Sequence, residues 1–232
     1  QDHTIQEILA NDNNIKSNMQ AGEKFYRCNP CYDLEQEKNK FNIISDRIFY
    51  IRELKDISTD TYKPNNFNLK TIDVRWTNLC NFSCRTCGPI FSSNWYNDHV
   101  KLYNRKPDVL GRDMARVEYT AGDEDAMIEQ MMPHIPYLEQ VYFAGGEPLI
   151  MKEHYFLLDR FLETGRTDVR LVYNTNFSEM RYKDKHVYDY WKHFKNVSVG
   201  ASLDAMGLRA ELMRKGTDWR QTLDNRIEMM AE

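Results

Sequence analysis

The sequence lacks any stretch of about 18 consecutive apolar residues, the length that a membrane-spanning helix needs. Residues 1–10 contain no apolar core of a signal peptide. Positive charge is not in excess either, because 31 Lys and Arg residues face 35 Asp and Glu residues and leave a net charge of −4. This balance excludes a generally basic surface that holds nucleic acid, although it does not exclude a local basic groove. We therefore predict a cytoplasmic protein with no membrane contact and no specific signal for nucleic acid.

Histidine pairs, internal repeats and low-complexity tracts are also missing. The six histidines form no HxH or HxxxH arrangement, so none is assigned as a metal ligand. With 28% charged and 41% apolar residues, the composition is typical of a globular protein. A chain of 232 residues is long enough for one full domain and a small accessory segment.

Cysteine is scarce, but the five cysteines lie in two tight clusters. Cys28 and Cys31 form a CxxC pair, whereas Cys80, Cys84 and Cys87 form a CxxxCxxC triplet. Disulfide frameworks usually spread their cysteines along the chain and favour secreted proteins. The clustering and the odd count therefore favour a reducing compartment and the binding of a soft metal.

The pattern along the chain predicts two parts, residues 1–67 and residues 68–232. The first is a mostly helical accessory segment that contains the CxxC pair. After that pair, apolar residues recur with the spacing of an amphipathic helix, at Leu34, Phe41, Ile44, Ile48 and Ile51. The turn-forming residues at 58–68 predict a linker between the two parts.

The second part alternates strand and helix patterns. Strands are predicted at residues 72–76, 138–144, 169–173 and 197–201. Helical spacing joins Tyr155, Leu158 and Leu162, and likewise Val187, Tyr190, Trp191 and Phe194; residues 104–125 form an insertion, and residues 219–232 form a last helix. This alternation predicts an α/β fold with a parallel sheet.

Each predicted strand is followed by a polar or glycine-rich motif. The cysteine triplet follows the first strand, and Gly145-Gly146-Glu147-Pro148 follows the second. Asn174 and Asn176 end the third strand, and Ser202 and Asp204 follow the fourth. Taken singly, each of the last three motifs is explained as well by a turn or a helix cap. Because ligand sites of α/β folds form at the carboxyl ends of the strands, we expect the four motifs to converge on one pocket.

The order of these motifs resembles that of the radical S-adenosylmethionine (radical SAM) enzymes, over roughly residues 70–220. The resemblance implies a partial (β/α) barrel of the TIM-like type, in which three cysteines bind a 4Fe–4S cluster. One iron of that cluster binds SAM, and an electron from the cluster cleaves SAM to a 5′-deoxyadenosyl radical. The radical abstracts hydrogen from a substrate, here unidentified, with a peptide or protein as the first expectation. A one-electron reductant such as a flavodoxin- or ferredoxin-like protein is implied as a partner.

The resemblance also assigns roles to individual residues. Cys80, Cys84 and Cys87 match the cluster ligands, and Arg214 resembles an arginine that pairs with the carboxylate of SAM. An aromatic residue that often precedes the third cysteine is replaced by Thr86, so Phe82 or backbone groups are expected to contact adenine. The remaining predicted SAM contacts are Gly145, Gly146, Glu147, Pro148, Asn174, Asn176, Ser202 and Asp204.

Two features depart from the family or extend it. The family's barrel normally has six strands, whereas four are predicted before residue 232, which suggests a truncated or fragmentary chain. Cys28 and Cys31, followed by Glu35 and later by Ser45-Asp46-Arg47, resemble part of an auxiliary-cluster region of the SPASM or twitch type. A zinc site shared with another segment, or free thiols, would explain this pair equally well.

Two alternatives remain open at this point. The cysteine triplet could belong to a non-catalytic zinc-binding interaction module, with His99 as the nearest histidine, expected on the next helix. The chain could also be a radical SAM remnant that binds a cluster but lacks strands that turnover needs.

Overall fold

The computed structural model describes residues 4–10, 18, 21–36, 44–45, 48–49, 52, 68–123 and 125–231. These residues belong to two compact units, one up to Asn68 and the other Leu69–Glu232. The predicted linker at residues 58–68 lies outside the described residues except for Asn68. The predicted helical positions Phe41 and Ile51 lie outside them as well. None of the described helices is long and apolar enough to cross a membrane.

The first unit contains short helices among its described residues. Helix α1 spans Ile5–Ala10, and a 3-10 helix at Tyr26–Cys28 leads directly into α2 at Asn29–Gln36. The side chain of Ser45 is buried, and its hydroxyl donates a hydrogen bond to Glu35 Oε1 over 2.6 Å.

The second unit is an α/β fold built on a four-stranded parallel sheet, as the alternating pattern predicts. The sheet strands are β1 (Thr71–Val74), β5 (Gln140–Phe143), β6 (Arg170–Thr175) and β9 (Val197–Ala201), adjacent in that order. Two-residue strands are β2 (Ser83–Cys84), β3 (Asp108–Val109), β4 (Arg112–Asp113), β7 (Arg181–Tyr182), β8 (Lys185–His186) and β10 (Arg214–Lys215).

Helices and 3-10 turns connect these strands. The helices are α3 (Tyr96–Tyr103), α4 (Ala126–Met131), α5 (Lys152–Glu163), α6 (Val187–Trp191), α7 (Leu208–Met213) and α8 (Trp219–Ala231). The 3-10 helices of this unit are Ser93–Trp95, Met132–Tyr137 and Pro148–Ile150.

The two faces of the sheet differ in burial. Val74, Phe143, Tyr173 and Val199 lie side by side in register on one face, here called the covered face. Helices α5 and α6 pack on it, since the His154 ring meets Phe143 edge-on at 5.0 Å and the Trp191 ring lies 5.0 Å from Tyr173. Helix α5 connects β5 to β6, and α6 connects β6 to β9. Because both connections cross the same face of the sheet, they have the same handedness.

The opposite face, here called the open face, is polar. Asp73, Tyr142, Val172 and Ser198 lie side by side in register on it, and Asp73 and Ser198 are exposed. At the β1 edge the insertion adds a short antiparallel segment, because Thr120 N donates to Trp76 O over 2.9 Å. The sheet therefore has a helix-packed apolar side and a solvent-facing polar side.

In the second unit, the two predicted helices lie at the predicted positions, but not every predicted core residue is buried as expected. Tyr155 and Leu158 of α5 are buried as expected, whereas Leu162 is only half-buried and Phe161 takes its place in the core. Helix α6 ends at Trp191, so Phe194 is buried from the turn that follows it. A five-residue helix is too short to carry the i, i+7 position of the predicted stripe.

Candidate functional site

The cysteine loop, defined as residues 77–88, leaves the carboxyl end of β1 and is held in place by the segment that follows it. Ser92 donates its hydroxyl to Phe82 O over 2.5 Å, and Trp95 Nε1 donates to Cys84 O over 2.9 Å. The loop carbonyls are thus satisfied by fixed protein donors, and the loop has a defined shape.

The three thiols of the loop differ in exposure. Cys84 is buried, whereas Cys80 and Cys87 are half-buried, and all three are free. Burial raises the pKa of the Cys80 thiol to about 11 and raises the pKa of Cys84 and Cys87 as well. These thiols therefore hold their protons at neutral pH, and a bound metal would have to replace those protons.

The motif at residues 145–148 packs directly on the cysteine loop. Gly146 N donates to Thr77 O over 3.2 Å, and Glu147 N donates to Leu79 O over 2.7 Å. A Cβ at Gly146 would lie 2.0 Å from Leu79 O, so no other residue fits at this crossing. Gly145 has a φ of 103°, a conformation that favours glycine. The glycines let two backbone segments approach each other closely.

The Glu147 carboxylate is fully used by protein groups. It is 1% exposed and accepts hydrogen bonds from Leu149 N at 3.1 Å, Thr175 Oγ1 at 2.7 Å and Asn176 N at 2.6 Å. Burial raises the pKa of Glu147 to about 7, against the lowering effect of these donors. Glu147 therefore ties the end of β5 to the end of β6, and the buried Pro148 starts the adjoining 3-10 helix.

The end of β6 reaches the cysteine loop through Asn176. Its Nδ2 donates to Asn81 Oδ1 over 2.8 Å and lies 3.9 Å from Cys80 Sγ, while its Oδ1 accepts from Ser178 Oγ over 2.7 Å. Asn174 is exposed on the open face. Only Asn176 of the predicted pair thus touches the loop.

The end of β9 reaches the cysteine loop through Arg214. Ser202, half-buried, continues the sheet by donating its N–H to Thr175 O over 2.8 Å. Asp204 Oδ1 accepts a hydrogen bond from Arg214 Nη2 over 3.0 Å, and its Oδ2 lies 2.9 Å from Nε in the same ion pair. The third nitrogen, Nη1, lies 3.8 Å from Cys84 Sγ.

Strand β10 extends this contact along the backbone. It pairs antiparallel with β2, with Arg214 opposite Cys84. Gly216 follows with a φ of 117°, and a Cβ there would lie 2.6 Å from the Phe82 ring. Phe82 is 1% exposed, so its ring packs inside the loop and has no face free for an adenine.

A cavity of about 740 Å³ adjoins the site. Its lining includes Gly145, Gly146 and Arg75 at the strand ends, Phe91 just beyond the cysteine loop, and several residues of the insertion at residues 109–122. Its volume is within the range of small-molecule and cofactor sites.

The geometry of the cysteine loop also bears on whether it could hold a single metal ion. In the part of the chain that the structure describes, no three His, Cys, Asp or Glu side chains are grouped to hold a metal ion. A single zinc ion draws its thiolates to about 2.3 Å from one centre, and this loop does not present such a centre. His99 lies on α3, where the centre of its ring is 4.7 Å from that of Tyr103 and the two rings are tilted by 45°.

The CxxC pair belongs to the first unit. Cys28 ends its 3-10 helix and Cys31 lies in the first turn of α2, and both thiols are half-buried and free. The adjacent Glu35 bonds to Ser45, as described above, whereas Arg47 lies outside the described residues.

Several residues that support the loop were not found from the sequence. Ser92 caps the 3-10 helix at Ser93–Trp95 by accepting from Asn94 N, and Asn81 and Thr175 bridge strand ends. A Ser before a short helix is a recognisable cap. The partners of Asn81 and Thr175 depend on chain crossings that no local pattern reports.

No protein-family model, curated protein or solved structure matches this chain.

Proposed function

We propose that this protein is a radical SAM enzyme whose second unit is a partial barrel of the TIM-like type. The barrel is supported by four parallel strands adjacent in chain order, with α5 and α6 on the same face. In a doubly wound sheet the strand order reverses and helices cover both faces. Sequential strand order with the crossover helices on one face is expected for a (β/α) barrel.

One observation carries the functional proposal. The motifs after β5 and β6 contact the cysteine loop that follows β1, through Gly146 to Thr77 and Asn176 to Asn81. The motif after β9 reaches the loop indirectly, since Asp204 pairs with Arg214 and Arg214 contacts Cys84. Strand ends that converge on one loop with three free thiols favour a common site over four independent turns. Soft thiolates select iron–sulfur clusters or zinc.

The three cysteines of the loop fit the ligand set of a 4Fe–4S cluster. Cys80, Cys84 and Cys87 would hold a 4Fe–4S cluster, in which each thiolate binds a different iron and the sulfurs stand further apart than around one zinc ion. With three protein ligands, one iron stays open for SAM. When bound, the cluster supplies the electron that cleaves SAM to a 5′-deoxyadenosyl radical.

Backbone and side-chain groups of the protein would orient SAM in the site. The backbone at Gly145 and Gly146 lines the 740 Å³ cavity and would receive the methionine part of SAM there. Glu147 and Asn176 hold that backbone and the cysteine loop in fixed relation. We place the substrate, with a peptide or protein as first candidate, against the insertion that forms the other wall.

The test is anaerobic reconstitution with iron and sulfide, followed by visible absorption, iron and zinc analysis, and EPR of the reduced protein with and without SAM. We expect a brown protein with about four irons at the triplet, a SAM-dependent change in the EPR spectrum, and 5′-deoxyadenosine after reduction. Cys84→Ala should lose this cluster signal, whereas Cys31→Ala, which removes a thiol of the other pair, should keep it.

Each other outcome has a defined meaning. A colourless protein that retains zinc and ignores SAM would overturn the proposal in favour of a zinc-binding module. A SAM-responsive cluster that yields no 5′-deoxyadenosine would leave a cluster-binding remnant without turnover.

A further inference from the structure

The guanidinium of Arg214 lies between a carboxylate and a thiol. Its Nε and Nη2 face the two oxygens of Asp204 at 2.9 and 3.0 Å, and its Nη1 points to Cys84 Sγ at 3.8 Å. The Arg214 side chain is only 17% exposed, so this charge is weakly screened by water.

Two nitrogens of this guanidinium donate to protein groups. Nη2 donates to Asp204 Oδ1, whereas Nε lies close to Oδ2 in the ion pair without a hydrogen bond. Nη1 is directed to the thiol of Cys84. The cation is therefore held between Asp204 and the cysteine loop.

The backbone reinforces the same contact. Arg214 and Cys84 are opposite each other in the antiparallel pair of β10 and β2, and Arg85 N donates to Met213 O over 2.8 Å. Asp204 follows β9 directly, so it fixes the guanidinium from the sheet side. Arg214 is thus held at both its backbone and its side chain.

We infer that Arg214, anchored by Asp204, is the charge partner of the Cys84 thiolate and makes the cluster bound by that thiolate easier to reduce. This inference rests on the proposed function. Reduction adds negative charge, so a fixed cation and an N–H donor beside a ligating sulfur stabilise the reduced form more than the oxidised form. Arg214 is a positioning residue in this role, since it acts through Cys84.

The experiment is an EPR-monitored redox titration of the reconstituted protein without SAM, with SAM affinity measured separately by EPR. In Arg214→Met and Arg214→Gln, the ratio of reduced to oxidised cluster at a fixed potential should fall at least tenfold, which is 59 mV for one electron. Lys215→Met is the matched control. It removes the same charge from the next residue of β10, whose side chain is 70% exposed and pairs with Asp98, and should change the ratio less than twofold.

Three results would overturn the inference. An unchanged potential with SAM affinity weakened tenfold or more would make Arg214 a SAM ligand instead. An unchanged potential and affinity would leave it no role at the cluster. Failure of the parent protein to form any cluster would remove the proposed function together with the inference, and iron analysis of the parent distinguishes that case. If Arg214→Met does not take up iron, the redox titration of the polar variant Arg214→Gln tests the inference.

Discussion

At the scale of single residues, Glu147 shows what the side chain of the glycine-rich motif does within the chain itself. The sequence resemblance assigns it to SAM, yet its carboxylate is buried and accepts three hydrogen bonds from the chain itself. The backbone of its glycine neighbours is what lines the cavity. The motif marks the place where the loop after β5 crosses the cysteine loop, but it does not indicate which groups bind the Glu147 carboxylate.

Gly146 should tolerate no side chain. In Gly146→Ala the new methyl would lie 2.0 Å from Leu79 O, so two backbone segments must separate, and we expect a loss of about 3 kcal/mol of unfolding free energy. Urea unfolding measures it. Gly88→Ala is the control, because its Cβ meets nothing within 4 Å. Equal stabilities of the two variants would show that the crossing is looser than described.

Glu147 should make stability depend on pH. Its pKa rises from 4.5 to about 7 on folding, so the folded state binds the proton more tightly than the unfolded chain. The stabilisation is complete below pH 4.5 and is lost as the pH rises through about 7. At about 1.36 kcal/mol per pKa unit, the loss is about 3 kcal/mol.

The measurement for Glu147 is urea unfolding from pH 4.5 to 8 for the parent and Glu147→Gln. Other titrating groups cancel in the difference between the two proteins. The parent should lose stability relative to the variant across this range. Parallel curves would contradict a raised pKa at this carboxyl group.

At the scale of elements, helix α5 shows how the covered face is held. Leu158 is 0% exposed and Leu162 is half-buried on the same helix. Leu158→Ala should therefore cost about 3 kcal/mol, whereas Leu162→Ala should cost about 1 kcal/mol, because only the former leaves a cavity in the core. Thermal or urea unfolding measures which of the two variants loses more stability. A larger cost at Leu162 would show that the helix is rotated from its described orientation.

Elements whose pattern is local were predictable, whereas their pairings were not. Alternating Val197 and Val199 predict β9, which the structure has at Val197–Ala201, and the last helix begins at Trp219 as predicted. The pairing of β10 with β2 could not be predicted, since a two-residue strand carries no periodicity. Likewise Glu147 finds Thr175 and Asn176, 28 and 29 residues away, only after the sheet has formed.

At the scale of the whole molecule, the second unit has a core of its own. With the exception of Tyr32, the buried hydrophobic side chains among the described residues lie between Val74 and Ala210. A unit with its own core can fold independently. The covered face, helices α5 and α6, and the cysteine loop are all inside that unit.

Limited digestion with subtilisin should therefore release a resistant fragment that begins near Leu69, the first residue of the second unit. The protease has broad specificity, so the position of the cut reports accessibility rather than sequence. Intact mass of the products identifies the fragment. Early cuts within residues 140–175, with no long-lived fragment from residue 69 onward, would contradict two separate units.

The contact between Arg214 and Cys84 joins residues that are 130 positions apart. During synthesis the cysteines leave the ribosome long before residues 204–216, so the loop at first lacks the strand, the ion pair and the glycine contact that close it on one side. Contacts of such long sequence separation form late in folding. Under the proposed function, metal loading into a fully shaped loop would follow translation of the second unit. A chain interrupted before Arg214 would present three cysteines without the strand and the ion pair that close one side of the loop.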